Sequence, residues 1–407
     1  YRRDLNIWLR RYRHHPSILA WIPSMNYVGA RDNIHADTMG QRKYALNNTA
    51  AKVEKKVCSW IKSVDPARLT FGHASGAIGD LATSNVYLNF VPLQEREEWP
   101  RVYAQKGDIP YSAVEFGQPH TGNFWKGPRF LLTEYLAMYY GDEAYIKEGE
   151  KGLRQNMALS KCGLKSAHGD FSSVDLTQYP LYWAFHRLFT TRTDRAWRTW
   201  GLAGGWFYWD FYLGYGDPPG IPEHKRDSRR LPFFRYEYLE NPLQDKPAWA
   251  NKNWDIHAEN MQPLLAYLAG WPQHTDKTHA FYSGEEVRKQ LACVWDGPGQ
   301  RKIRASWKVL QEGAESPSIA EGVLSVSLEP GDISFHPFAF DAPEVGRRTE
   351  CRIELTVQQG EDVITREQFP FQVFPRPEPL ALSHPVILWD PKGKTRQWLH
   401  ELGVETV

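Results

Sequence analysis

The feature that most constrains this chain is a change of period. From residue 1 to about residue 270, stretches with helical apolar spacing alternate with short apolar runs. After Pro272 the chain turns to short strand-like runs separated by Gly, Pro and Asp, of which Cys351–Val357 alternates cleanly at every second position. A 3.6-residue period buries one stripe of a helix, and a two-residue period buries one face of a strand. The first region therefore reads as α/β and the second as all-β.

Leu5, Trp8, Leu9 and Tyr12 have helical spacing, and His15-Pro16-Ser17 breaks that helix. Ile18-Leu19-Ala20-Trp21-Ile22 reads as a buried parallel strand. Residues 41–64 read as a helix with Val53, Val57, Trp60, Ile61 and Val64 on one face, ended by the turn Asp65-Pro66-Ala67-Arg68. Further strands are expected at Leu69–His73, Val86–Asn89, Tyr111–Phe116 and Gly204–Phe211, with helix in the second half of 120–200. Strands alternating with helices imply a parallel sheet, closed into a barrel or doubly wound. No Gly-x-Gly-x-x-Gly follows the first strand, so the dinucleotide-binding version lacks support.

Beyond Pro272, seven short strands are expected at 277–280, 290–295, 301–310, 322–328, 332–338, 349–358 and 367–374. That density indicates a sandwich of the immunoglobulin type. Pro375-Arg376-Pro377-Glu378-Pro379 reads as a stiff linker. Val386–Asp390 followed by Thr395–Leu402 reads as the start of a further α/β domain. The expected organisation is thus 1–271, 272–376 and 377–407.

Charge excludes some partners. With 49 basic and 48 acidic residues among 407, the chain has no bias toward nucleic acid or an anionic membrane. No apolar run approaches the roughly 20 residues of a membrane span. The four cysteines (Cys58, Cys162, Cys293, Cys351) form no Cys-x-x-Cys pair, and no Gly-rich phosphate cradle is present, so neither a metal nor a cofactor is expected. Aromatic residues make up 14% of the chain. Rings with a polar edge suit the apolar faces and hydroxyl rims of sugars.

In parallel α/β folds the chemistry gathers where strands end. The polar residues closing the expected strands are Asn26, His73, Asn89, Glu115 and Asp210, with Trp206 and Trp209 beside the last.

Three of these segments carry a resemblance. His15-Pro16-Ser17-Ile18-Leu19-Ala20-Trp21, continuing to Asn26, resembles the fourth-strand motif of glycoside hydrolase family 2. Pro110–Gly117, with Glu115-Phe116-Gly117, is similar to that family's seventh strand, and Gly204–Phe211 to its eighth. The resemblance covers about residues 1–215. It implies a partial (β/α)8 TIM barrel, lacking the first three strands and followed by the sandwich. It also implies a retaining O-glycosyl hydrolase acting on an oligo- or polysaccharide, with Glu115 as nucleophile. Asn26 would then contact the sugar 2-hydroxyl, with Trp209 and Asp210 lining the site; Tyr27, and by strand-end position alone His73 and Asn89, are further candidate substrate contacts.

One position departs from the family pattern. The acid/base glutamate should follow Asn26, and the chain has Tyr27 there. A phenol titrating near pH 10 donates a proton poorly at neutral pH. Asp32, six residues past Asn26, is the first alternative. His35 and Asp37 in the same loop, His73 and Asp210 are others. A different reading is a barrel that binds glycan without cleaving it. An unrelated α/β hydrolase has no support, because no Gly-x-Ser-x-Gly elbow is present.

Overall fold

The computed structural model describes residues 2–29, 36, 39, 49–86, 93–107, 109–116, 180–202, 205–208, 252–313, 318–377, 382 and 384–407. The chain divides into two compact units, Tyr1–Leu265 and Ala266–Val407.

The first unit is mixed α/β. Helix α1 (Arg2–Tyr12) precedes strand β1 (Ala20–Trp21), and helix α2 (Thr49–Val64) precedes β2 (Leu69–Thr70). β1 and β2 pair in parallel, as a strand–helix–strand crossover requires. Leu9 of α1, Trp21 of β1 and Ile61 of α2 form a buried core flanked by Leu5, Tyr12, Ile18, Val57, Trp60 and Val64. The sequence placed Val53 on the buried face of α2, but it is exposed. The buried stripe is instead Ala51, Glu54, Cys58 and Ile61. Apolar spacing alone could not show this, because one member of the stripe is a carboxylate.

The turns before β1 and β2 brace each other. Arg68 donates from Nε to Ile18 O and from Nη2 to His15 O, both at 2.8 Å, and from Nη1 to Asp65 Oδ2 at 3.1 Å. The Trp21 indole donates to the same Asp65 oxygen at 2.8 Å. The His-Pro-Ser segment and the Asp-Pro-Ala-Arg turn thus form one polar truss at the start of the strands. It serves the architecture rather than the chemistry.

A second sheet has the order β3 (Gly76–Ala77), β4 (Ala82–Val86), β5 (Tyr111–Phe116) and β6 (Trp206–Tyr208). β3 and β4 are antiparallel; β4, β5 and β6 run parallel. The described strand in this region is Ala82–Val86, all of it buried; it begins ahead of the strand expected over Val86–Asn89, of which Tyr87, Leu88 and Asn89 lie outside the described residues. Its polar residues pair internally. Thr83 Oγ1 donates to Gly72 O and accepts from Ser75 N, and the Ser84 and Tyr111 hydroxyls hydrogen-bond. Buried polar groups satisfied in this way leave no apolar signature in the sequence. Helices α3 (Leu93–Glu98), α4 (Arg101–Lys106), α5 (Pro180–Thr199) and α6 (Lys252–Asn260) complete the described part of the unit.

The second unit holds two sheets. One has the order β11 (Ser318–Leu328), β10 (Arg301–Gln311), β13 (Thr349–Gln359), β14 (Asp362–Phe374) and β8 (Ala280–Tyr282). The other has β12 (Ile333–Asp341), β9 (Glu286–Trp295) and β7 (Leu264–Ala269). Strand β7 had not been expected. Its six consecutive buried residues show no alternation, and periodicity cannot separate such a run from a buried helical segment. Aromatic rings join the two sheets: Trp307 stacks on Phe338 at 4.5 Å, and Phe340 lies 5.9 Å from Phe371. Helix α7 (Lys394–Glu401) follows an isolated parallel bridge, Val386 with Thr406. Asp390 accepts the Arg396 N–H at 2.8 Å, and such backbone donors hold its carboxyl below the ordinary carboxylate range.

Candidate active site

Beyond β1 the chain runs on to Met25, which forms a parallel bridge with His73 beyond β2. The Asn26 N–H donates to His73 O at 3.3 Å, and the His73 N–H donates to Ser24 O at 3.2 Å. Both segments then turn left-handed: Asn26 and Ala74 each have φ of 54°. Asparagine tolerates this region; alanine gives up about 1–2 kcal/mol there. Ala74 is held by complete burial against Phe71, Leu81 and Val114. Strain kept in place by packing is a recurring property of functional sites.

Glu115 is the penultimate residue of β5, and only 2% of it is exposed. The β4–β5 register slips beside it. Ala113 faces Ser84, yet Glu115 faces Asn85, so one extra residue is accommodated on β5. A bulge of this kind re-aims a side chain at a strand end.

The geometry brings three expected residues together. Asn26 Nδ2 donates to Glu115 Oε1 at 3.0 Å, and His73 Nε2 lies 3.9 Å from the same oxygen. A fourth residue, Asn85, escaped the sequence reading. Its Nδ2 donates to Asn26 Oδ1 at 3.4 Å. That contact makes Asn26 Oδ1 an acceptor and so turns the amide NH2 toward Glu115. The available signal is the run Thr83-Ser84-Asn85, which lacks the apolar character of a strand.

Glu115 is buried while Asn26 is open to solvent. A ligand reaching the carboxylate would therefore meet the amide at the rim. Asn85 Oδ1 and His73 Nδ1 are buried and have no hydrogen-bond partner among the described residues. Tyr27, beside Asn26, is 53% exposed. Asp32, His35, Asp37, Asn89, Trp209 and Asp210 lie outside the described residues. Among the described residues, no cluster of three or more His, Cys, Asp or Glu could hold a metal ion, and no helix is long and apolar enough to cross a membrane.

No protein-family model and no curated protein matches the sequence. Solved structures similar to the chain include a β-D-mannosidase from Dictyoglomus thermophilum, at 10% identity over 95% of this chain and 41% of that one, with a TM-score of 0.46. The chain thus spans well under half of the mannosidase. A glycosyl hydrolase family 2 member from Bacteroides cellulosilyticus matches at 10% identity over 22% of this chain and 13% of its own, with a TM-score of 0.19. The α2-macroglobulin of Escherichia coli, from domain MG7 to its C-terminus, matches at 20% identity over 28% and 17%, with a TM-score of 0.20. Scores this low carry no argument about chemistry.

Proposed function

We propose that this chain is part of a retaining glycoside hydrolase acting on a β-linked glycan, with Glu115 as nucleophile. The parallel strands of the first unit would belong to a (β/α)8 barrel, and the two sheets of the second to an immunoglobulin-like sandwich. The observation that carries the reading is the 3.0 Å hydrogen bond from Asn26 to a buried glutamate at the end of a parallel strand. It joins two of the three segments whose motifs resemble the family.

In this reading Glu115 attacks the anomeric carbon as the glycosidic bond breaks, giving a glycosyl ester on the enzyme. A second carboxyl, about 5 Å away, protonates the leaving oxygen, then takes a proton from the water that hydrolyses the ester. The Asn26 amide has two hydrogens. One is on Glu115; the other suits the sugar 2-hydroxyl, a contact that strengthens in the transition state. Asp32 is the proposed acid/base. His73, Asn89, Trp209 and Asp210 are proposed to line the sugar site.

The exposed Tyr27, where the family carries its acid/base glutamate, favours a second reading: a barrel that binds glycan without turning it over.

A panel of aryl glycosides given to the full-length protein, with Glu115→Ala as control, separates the two; residues 1–407 alone, with three barrel strands absent in this reading, should show no turnover. The first reading expects turnover that the substitution abolishes, and a 2-fluoro glycoside that labels the peptide containing Glu115. Turnover indifferent to the substitution would overturn it. Glycan binding with no turnover on any substrate would leave the second.

A further inference from the structure

Glu54 sits on α2, outside the candidate site, yet 98% of it is buried. Its Oε1 accepts a hydrogen bond from the Ser24 hydroxyl, and its Oε2 has no hydrogen-bond partner among the described residues. A carboxylate rarely goes so deep without a role, because losing water is costly for a charge. The neighbouring backbone is shaped around it. A Cβ at Gly72 would overlap the Glu54 carboxylate and the Ser75 hydroxyl, so residue 72 must be glycine for Glu54 to fit. Cys58, one helical turn on, is buried on the same stripe.

Ser24 belongs to the segment that presents Asn26. Its carbonyl accepts the His73 N–H at 3.2 Å, and two residues later Asn26 N–H donates to His73 O at 3.3 Å. Gly72 immediately precedes His73, and its carbonyl accepts from Thr83 of β4, two residues before Asn85. The Glu54 carboxylate therefore touches the chain just ahead of both Asn26 and His73.

We infer that Glu54 is a positioning residue: by holding Ser24 and filling the space beside Gly72, it sets the register that brings Asn26 and His73 to Glu115. The inference deepens the proposed function and rests on it for its catalytic meaning, but not for its geometry. A helix side chain is a firm anchor for such a register, since helix positions are more rigid than loop positions. A misplacement of about 1 Å at a reacting group is enough to cost about 100-fold in rate.

The test uses the 407-residue chain with Ser24→Ala, Glu54→Ala and Glu54→Gln. Glutamine keeps an acceptor for Ser24, so Glu54→Gln should behave as wild type. The first readout is the Asn26 side-chain amide signal in 15N NMR, assigned by its loss in Asn26→Ala. In wild type its chemical shift should report the contact with the Glu115 carboxylate, the response being the change in that shift that Glu115→Gln produces. Ser24→Ala and Glu54→Ala should shrink the response, and speed amide exchange at Asn26 and His73 about 10-fold, with α5 unchanged. Full retention of the response in both variants would overturn the inference. So would exchange rising equally throughout the unit, which marks general destabilisation. Glu54→Ala is the variant at risk of not folding; Ser24→Ala removes only one hydroxyl and keeps the test decisive. The second readout is turnover by the full-length protein: kcat should fall at least 10-fold in Ser24→Ala with KM little changed. If the full-length wild type turns over no substrate, the proposed function fails while the NMR readout still decides the clamp.

Discussion

Asn26 Nδ2 stands 3.0 Å from Glu115 Oε1, joining residues 89 apart in sequence, and the Asn85 amide fixes which way Asn26 faces. A hydrogen bond to a charged acceptor contributes about 1.5–3 kcal/mol. Asn26→Ala should therefore lower kcat/KM about 10- to 150-fold on an aryl glycoside substrate. Asn85→Ala, which frees the Asn26 amide to flip, should give a smaller loss in the same direction. Steady-state kinetics on both variants check the order; an Asn85 effect larger than the Asn26 effect would contradict it.

The truss around Arg68 predicts a stability effect without a catalytic one. Asp65 is 4% exposed and accepts from both Trp21 and Arg68. Removing one partner of a buried pair leaves the other uncompensated. Arg68→Ala should cost roughly 2–4 kcal/mol of the first unit's stability, read by urea unfolding. Arg68→Lys should recover little of it, because one ammonium cannot span His15 O, Ile18 O and Asp65 at once.

In the second unit His274 introduces a pH dependence. Burial, and then the nearby Lys277 charge, depress its imidazole from 6.5 to about 4. The unfolded chain takes up a proton as pH falls past 6.5, but the folded one does so only near 4. The native state is thus fully favoured above 6.5 and loses up to roughly 3 kcal/mol on the way down to 4. His274 stacks on Phe335 at 5.8 Å, so phenylalanine should be tolerated there. His274→Phe should flatten the stability-versus-pH curve between 6.5 and 4.5 relative to wild type. Parallel curves for the two proteins would refute the assignment.

Three buried thiols should be inert. Burial, then the Glu54 charge, raise Cys58 to about 12; burial alone raises Cys293 to about 12; burial, then Glu350 and Glu312, raise Cys351 to about 11. A thiol reacts as its thiolate. Iodoacetamide at pH 8 should leave all three unmodified in the native protein and alkylate them in urea, as peptide mapping will show.

Gly322 lies against the Trp307 indole, where a Cβ would overlap the ring. Trp307 itself stacks between the sheets on Phe338. Gly322→Ala should destabilise the second unit by about 1–3 kcal/mol through overpacking, with no change in the first. Calorimetry or hydrogen exchange resolves the two units.

Local pattern carried a good part of this structure. The helical spacing of Leu5, Leu9 and Tyr12, the break at His15-Pro16 and the alternation of Cys351–Val357 each reflect one element meeting one core, so a few residues suffice to read them. Glu115 was legible too, because a strand end with an acidic residue and a following Phe-Gly is a local feature. Three things were not local. Strand β4 is polar, and its Thr83 and Ser84 are satisfied by residues outside the strand, which hid it and Asn85 with it. Strand β7 is buried on both faces and shows no period. Glu54 lies on a buried stripe of α2 that the apolar spacing did not mark, and only the approach of Ser24 and Gly72 explains it. Sequence alone determined the helices and strands that carry a clear period and which acidic residue stands at a strand end, because those follow from short-range spacing. The tertiary structure decided which amides face that carboxylate and what holds them there, because hydrogen bonds between residues 89, 59 and 30 positions apart exist only once the strands have been brought side by side.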